Sequence, residues 1–367
     1  MLGFRLVTAI VLLVVASACG STPSSHGSTQ SPGATPSEAL FAVVEGRSGA
    51  AQPGTVAILG LDGKARATAT FQPRVGPVIP DAYTPLQGVA QVVGSGVYYI
   101  DGAGVVRLLT AAGGPRVVAT FPLQPAQEDT WFAVSPDGSN IVAGIVTFPA
   151  LGPIIPGTGW NSLVGPTRFD LEAAQAGGQT KTLVHLEAPA GSEPTPLFPV
   201  GWTSAGSVVM VPQYLTSQNI WPGGHLYVID AQGKQTQRLG GSDCTAASIT
   251  ANGYIPCTTA GGTGVSVRTQ SGELVWTSRL DAFGAWRVLV SPDGQAVLND
   301  GQVETHAGGL VAMPSGFRLQ GWLNASTVVG RVQNENGDEG NLLWIDLAHP
   351  STVHDLGLQA DFVAKVS

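Results

Sequence analysis

Ser135-Pro136-Asp137-Gly138 and Ser291-Pro292-Asp293-Gly294 are the same four residues, and each follows a tryptophan (Trp131, Trp286) and an apolar run. A turn that recurs with the same flanks implies one supersecondary unit used repeatedly. The chain is therefore read first for its repeats and only afterwards for chemistry.

Working outward from these turns, further copies emerge. Gly201-Trp202-Thr203-Ser204-Ala205-Gly206-Ser207-Val208-Val209 aligns without gaps on Gly321-Trp322-Leu323-Asn324-Ala325-Ser326-Thr327-Val328-Val329. Downstream, Gly224-His225-Leu226-Tyr227-Val228-Ile229-Asp230 matches Gly340-Asn341-Leu342-Leu343-Trp344-Ile345-Asp346. Thr250-Ala251-Asn252-Gly253 is a degenerate copy of the first turn. A second turn recurs as Leu61-Asp62-Gly63-Lys64, Gly102-Ala103-Gly104-Val105, Ala231-Gln232-Gly233-Lys234 and Gln270-Ser271-Gly272-Glu273. Glycine there supplies the positive φ of a tight hairpin. The short Val, Ile, Leu, Tyr and Thr runs between turns have strand composition.

Each unit thus reads as four strands, A to D, with the first turn type joining A to B and the second joining C to D. Units fall at 38–73, 81–122, 128–187, 196–240, 243–280, 283–316 and 317–357, roughly 47 residues each, the length of a four-stranded propeller blade. The expected fold is all-β: a seven-bladed β-propeller of four-stranded antiparallel blades, with six or eight blades as alternatives. The Ser-Pro-Asp-Gly turns resemble the TolB-like and WD40-like propeller repeats of bacterial envelope proteins, over nearly the whole region from Glu38 to Ser367. The Gly-His and Trp-Asp signatures of eukaryotic WD40 repeats are absent.

The first unit offers only three strands, at Ala39 to Glu45, Thr55 to Leu61 and Ala65 to Phe71. The seventh is complete by Gly357, which leaves Asp361 to Ser367, a segment of strand character. That segment is expected to enter unit one as its innermost strand and close the ring, removing the exposed edges of an open sheet.

Composition agrees with this architecture. Gly 49 and Pro 26 against 11% charged residues disfavour long helices and suit strands joined by turns. Net charge is -8 and no Lys/Arg cluster exists, so nucleic acid, which needs a basic patch, is not an expected partner.

The N-terminus reads as an address. Arg5 precedes the apolar run Leu6 to Ala18, shorter than the roughly 20 residues a bilayer span takes and suited to a signal-peptide core. Its ending, Ala16-Ser17-Ala18-Cys19, resembles a bacterial lipobox, with Ala16 where leucine is usual. The resemblance implies a signal peptide over 1–18, acylation of Cys19, and a membrane contact through the lipid alone. Gly20 to Ser37 holds no charged and no large apolar residue, so it cannot order itself. As a coil it spans roughly 20–25 Å, which suits a tether. Residues 19–37 are accordingly the lipidated cysteine and tether, and 38–367 the propeller. The expected location is extracytoplasmic, lipid-anchored to the bacterial cell membrane; plain secretion is the other reading.

Beyond Cys19 only Cys244 and Cys257 remain. They bracket the turn Ala251-Asn252-Gly253, so a hairpin brings them near each other, and in an exported chain a disulfide is favoured over two buried thiols.

The long irregular stretches are Pro73–Pro85, Pro149–Pro166, Glu187–Pro199, Pro212–Gly224 and Gln333–Gly340. All are B–C or D–A connections by the unit boundaries above, so they gather on one face around the channel mouth. Long loops on a rigid scaffold are where binding residues concentrate. Tyr83, Trp160, Tyr214 and Trp221 are the candidate binding residues, for a protein, peptide or glycan at the envelope; the competing reading has them fold back and cap the loops. Trp131, Trp202, Trp286 and Trp322 occupy repeat positions and are read as packing between blades.

No Gly-Xaa-Ser-Xaa-Gly elbow and no His-Glu-Xaa-Xaa-His occurs. His185, His225, His306, His349 and His354 are scattered over different units. Asn334 to Gly340 misplaces its glycine for a calcium loop. No catalytic residue, metal or cofactor is expected from these motifs. The function expected is binding or scaffolding, with a propeller enzyme (a lyase or glycan-active protein) using the channel mouth as the alternative.

Overall fold

The structure is a computed structural model, and it describes residues 39–46, 52–73, 88–124, 128–147, 150–154, 156–157, 161–164, 167–189, 195–216, 219–258, 264–281, 288–299, 301–333 and 339–367. The described chain is all-β: seven blades of antiparallel strands set in a ring, with no helix among the described residues.

Blade one contains β1 (Leu40–Glu45), β2 (Gly54–Gly60) and β3 (Ala65–Phe71). Blade two is β4 (Ala90–Val93), β5 (Gly96–Ile100), β6 (Val105–Thr110) and β7 (Gly113–Thr120). Blade three is β8 (Glu128–Val134) and β9 (Asn140–Thr147), then β12 (Thr167–Gln175) and β13 (Thr180–Ala188). Between β9 and β12 a separate two-stranded hairpin is inserted, β10 (Ala150–Ile154) with β11 (Asn161–Val164). Blade four is β14 (Phe198–Thr203), β15 (Gly206–Thr216), β16 (Asn219–Ile229) and β17 (Gln235–Arg238).

Blade five has β18 (Ile255–Thr258), β19 (Val265–Arg268) and β20 (Leu274–Ser278). Its innermost position is reduced to a bridge between Thr245 and Thr258. Blade six is β21 (Leu289–Val290), β22 (Ala296–Asn299), β23 (Gln302–Thr305) and β24 (Leu310–Ala312). Blade seven is β25 (Phe317–Asn324), β26 (Thr327–Gln333), β27 (Glu339–Asp346) and β28 (Val353–Asp355). The last strand, β29 (Asp361–Val366), pairs with β1, and blade one has the order β29-β1-β2-β3. The C-terminal segment therefore takes the inner position that the three-strand count of unit one left open. Around the ring the inner strands of successive blades touch: β25 meets β29, β29 meets β4, β4 meets β8 and β8 meets β14.

The core is divided among the blade interfaces rather than pooled. Ile58, Val97 and Tyr99 pack blade one on two; Val106, Phe132 and Ile145 pack two on three. Phe169, Phe198, Leu226 and Ile255 run continuously from blade three through blade five. Val267 with Val288, Leu298 with Phe317, and Leu342 with Phe41 complete the remaining interfaces. Such alternation follows from strands buried on both faces, one against each neighbour. Trp131 lies with its ring centroid 4.8 Å from that of Phe198, and Trp322 is buried in the cluster between blades six and seven. Trp286 lies outside the described residues.

The two Ser-Pro-Asp-Gly turns are the A–B hairpins of blades three and six, and they share one hydrogen-bond network. Ser135 Oγ donates to Asp137 Oδ1 (2.5 Å) and accepts from the Asn140 N–H (2.9 Å). Ser291 Oγ repeats this with Asp293 Oδ1 (2.6 Å) and the Ala296 N–H (2.9 Å). Each glycine has positive φ, 71° at Gly138 and 74° at Gly294. Each also lies beneath a tyrosine of the preceding blade. A methyl group on Gly138 would meet the Tyr98 hydroxyl at 2.3 Å, and one on Gly294 would meet the Tyr254 ring at 2.8 Å. Glycine is thus required twice over, by conformation and by the neighbouring blade.

The hydrogen bond from Ser135, joined by those from the Ser139 N–H and hydroxyl, holds the Asp137 carboxyl down at about 2. A carboxyl whose pKa is depressed on folding stabilises the fold above its unfolded value, here 3.8, and loses that contribution as pH falls toward 2. Asp137→Asn is therefore expected to melt below the parent protein at pH 7 and to converge on it near pH 2. Thermal scans across that range check this; a gap that stays constant with pH would show that Asp137 stabilises the turn without its charge.

The disulfide expected from the cysteine spacing is present, Cys244 to Cys257, with both residues 2% exposed. It ties the chain next to Thr245 onto β18. That is the one blade whose described inner strand is a single bridge, so a covalent bond stands where the other blades have a ladder.

One turn departs from its expected place. Gly102-Ala103-Gly104-Val105 joins β5 to β6, the B–C position of blade two rather than C–D. The A–B turn of that blade is at Gly94, between β4 and β5, where φ is 57°. Local turn chemistry is the same at both ends of a strand, so a lone glycine turn does not reveal which end it closes.

Candidate functional site

The A–B turns of blades two to seven and the C–D turns open on one face, and the B–C and D–A connections on the other. Strand order assigns Pro73–Pro85 and Glu187–Pro199 to D–A positions and Pro149–Pro166, Pro212–Gly224 and Gln333–Gly340 to B–C positions, so all five share a face.

Two of these stretches are not irregular loops. Pro149–Pro166 contains the β10–β11 hairpin, in which Leu151 pairs with Leu163 and Ile154 with Asn161. Pro212–Gly224 is a continuation of β15 and β16. Their ladder runs on past the sheet through Tyr214↔Trp221 and Leu215↔Ile220 to Thr216↔Asn219. The prolines that suggested loops are accommodated by register shifts, between Pro212 and Tyr214 and between Leu151 and Ile154. Proline, which has no N–H to give to a ladder, is compatible with a strand at a bulge.

Of the four aromatic candidates, Tyr214 and Trp221 are thereby brought together as register partners on one hairpin. Their side chains, and the whole of Tyr83 and Trp160, lie outside the described residues, as does Cys19. Ile154, on the neighbouring hairpin, is 61% exposed.

Polar residues that sequence reading did not single out gather at the same end of blade three. The register sets Glu128, Thr147, Arg168 and Glu187 in one row across β8, β9, β12 and β13. Thr130, Ile145, Asp170 and His185 form the next row on the same side. Glu128 is buried, and its carboxylate accepts from the Gln124 N–H (2.7 Å) and the Thr147 hydroxyl (3.2 Å). His185 Nδ1 lies 2.5 Å from Asp170 Oδ1, and its Nε2 lies 4.0 Å from Glu187 Oε2. Burial raises the Glu172 carboxyl above the usual range, and the charges of Asp170 and Glu128 push it the same way. The histidine is half-exposed, oriented by one carboxylate and within 4.0 Å of a second, a pattern found where side chains relay protons. The pair sits on strands C and D, the outer half of the blade, so it is set back from the channel mouth. Among the described residues no group of three or more His, Cys, Asp or Glu is placed to hold a metal ion.

A second polar centre lies where the ring closes. Arg331, 6% exposed, ion-pairs with Glu339 and with Asp361 Oδ1 (3.1 Å) and donates to the Ala360 carbonyl (3.0 Å). Gln320 donates to Asp361 (3.0 Å) and accepts from the Phe362 N–H (2.7 Å). These contacts fasten blade seven to β29. The one sequence signal for the blade-three cluster was the alternation Arg168-Phe169-Asp170-Leu171-Glu172, which marks a polar strand face; no comparable signal marks Arg331.

No family model matches the chain, and no curated protein matches it. Among solved structures it is similar to an oligogalacturonate lyase from Vibrio parahaemolyticus, at 8% identity over 86% of this chain and 91% of that one, with a TM-score of 0.47. A functionally unknown protein from Desulfotomaculum acetoxidans matches at 12% identity over 88% and 99%, with a TM-score of 0.44. A streptogramin B lyase matches at 13% over 75% and 85%, with a TM-score of 0.39. At these values the likeness assigns neither a substrate nor a reaction to this chain.

Proposed function

We propose that this chain is an exported bacterial lipoprotein, TolB-like or WD40-like in its blade turns, that acts as a binding or scaffolding module at the cell envelope. In this reading the ring is the platform and its long-loop face is the working surface, for a protein, peptide or glycan. The observation that carries the proposal is the one-sidedness of the disc. Short glycine turns close one face, while all five long connections open on the other, two of them stiffened into the β10–β11 hairpin and the extension of β15–β16. A hairpin held by a ladder keeps its shape before a partner arrives, which lowers the ordering cost of binding. The signal-like run before Cys19 and the charge-free segment after it support export and anchoring.

The test is photo-crosslinking in intact cells from Trp160 and Trp221, with Gln232, exposed on the opposite face, as the control. A discrete captured species from either tryptophan position, and none from Gln232, is the expected result. Capture from neither, with both indoles shielded from an aqueous quencher, would mean that these aromatics cap their own loops, and the proposal would fail.

A further inference from the structure

Blade five is fastened differently from its neighbours. The inner strands of blades three, four and seven carry large side chains into the blade interfaces, where Phe132, Phe198 and Trp322 are each buried. The corresponding stretch of blade five, residues 245–250, contributes Ala246, with Ala247 and Ile249 partly buried. Alanine removes little area from water, so this stretch gains little by packing. Its backbone is also thinly held: Thr245 makes one bridge to Thr258 of β18, and Ala246 makes one to Gly224 of blade four. By contrast, β8 pairs with β9 all the way from Glu128↔Thr147 to Val134↔Ile141. The approach to the stretch is held by side chains. Arg268 donates to the Gly240 carbonyl (3.2 Å) and ion-pairs with Asp243 (3.0 Å), Arg238 donates to the Ser242 carbonyl, and His225 Nδ1 lies 2.9 Å from the Cys244 carbonyl. From Cys244 onward the covalent tie to Cys257 takes over. That bond is covered: both cysteines are 2% exposed, and a methyl group on Gly240 would meet the Cys244 sulfur at 2.6 Å.

We infer that the Cys244–Cys257 bond is a redox latch on blade five. Oxidised, it fixes residues 245–250 as the inner segment of the blade. Reduced, it lets that segment move away and uncovers the inner edge of β18, while the other six blades stay folded. The opening step takes two electrons from a dithiol. One thiolate of the dithiol attacks one sulfur of the bond and releases the other as a thiolate. The second thiol of the reductant then displaces the first, leaving two cysteine thiols and a cyclic disulfide of the reductant. Because Gly240 covers the sulfurs, attack requires the segment to open beforehand, so the latch is slow to reopen once it is set. Blade five is accordingly completed only where a disulfide donor oxidises the pair. The edge of β18 not engaged by β19 is, in the reduced chain, a template on which an extended segment can pair. The inference is independent of how the chain is exported or anchored.

Hydrogen exchange on the full chain tests this, with the oxidised parent set against two variants, Cys244→Ser with Cys257→Ser and Cys244→Ala with Cys257→Val. The amides of Thr245, Ala246 and Thr258 are bonded to the Thr258, Gly224 and Thr245 carbonyls. They are expected to exchange roughly 30-fold faster or more in both variants. Val142 in β9 and Val329 in β26 are expected to exchange as in the parent. The parent refolded in dithiothreitol is expected to match the variants and to be alkylated rapidly at both cysteines; the folded parent placed in dithiothreitol is expected to be alkylated far more slowly. Equal protection of the three amides in the parent and the variants overturns the inference, because the segment then needs no latch. Loss of cooperative folding in both variants overturns it too, because a local latch leaves the rest of the ring intact.

Discussion

Removal of Asp361 to Ser367 is expected to abolish cooperative folding or to lower the melting temperature by about 10 °C or more. The deletion takes away the inner strand of blade one, whose ladder spans Leu40↔Val366 to Val44↔Asp361. It also removes Phe362 and Val366, 8% and 4% exposed, each of which contributes roughly 1.5–3 kcal/mol through burial. Phe362 packs beside Phe41 of the same blade, with ring centroids 6.1 Å apart, in the cluster that joins blade one to blade seven. Without it the ring opens at its seam and β1 presents an unpaired edge, the feature that makes open sheets associate. A synthetic peptide covering residues 358–367, added in trans, is expected to restore a cooperative transition, because its two neighbours, β1 and β25, are both retained by the truncated chain. An unchanged melting temperature after truncation would show that β29 is a dispensable tail.

The second large effect is expected at Arg331. Its guanidinium is almost wholly withdrawn from solvent and is neutralised by Glu339 and Asp361, which are themselves partly exposed. Converting both carboxylates to amides, Glu339→Gln with Asp361→Asn, leaves a buried cation with the Ala360 carbonyl as an uncharged partner. A buried charge stripped of its counter-charges costs about 3–5 kcal/mol. Arg331→Met removes the charge and keeps most of the volume, so it is expected to cost distinctly less. Chemical denaturation of the three proteins ranks them: parent, then Arg331→Met, then the double amide. If the double amide were as stable as the parent, the pairing would be a surface contact without energetic weight. Because these residues join blade seven to β29, the double amide is also expected to sensitise the C-terminus to carboxypeptidase.

These two predictions differ in how far sequence could anticipate them. The closing strand could be counted in advance, because the first unit lacked a strand and the C-terminus had one to spare. The seven units, the identity of the Ser-Pro-Asp-Gly turns as A–B hairpins and the Cys244–Cys257 pairing were also legible. Each is a local pattern, set by a few consecutive residues whose hydrogen bonds close on themselves, as Ser135, Asp137 and Asn140 do. Such patterns survive in sequence because the turn needs those residue types whatever surrounds it.

What sequence misjudged was extent and position. Pro212 and Pro153 suggested loops, yet the strands continue through them as bulged hairpins. Gly102 was given the wrong end of its strand, since a glycine turn has the same composition at either end. What it could not show at all was convergence. Arg331 meets Asp361 from another blade, and Asp170 meets His185 only because the register of β12 on β13 sets them opposite. Register is fixed by the summed packing of two buried faces, a property of the closed ring and of no short segment. Sequence alone thus determined the repeat, the blade number and the closing strand, through turn chemistry and strand count. Only the tertiary structure decided which charges share a site and which loops are stiff, because each depends on strands brought together across the fold.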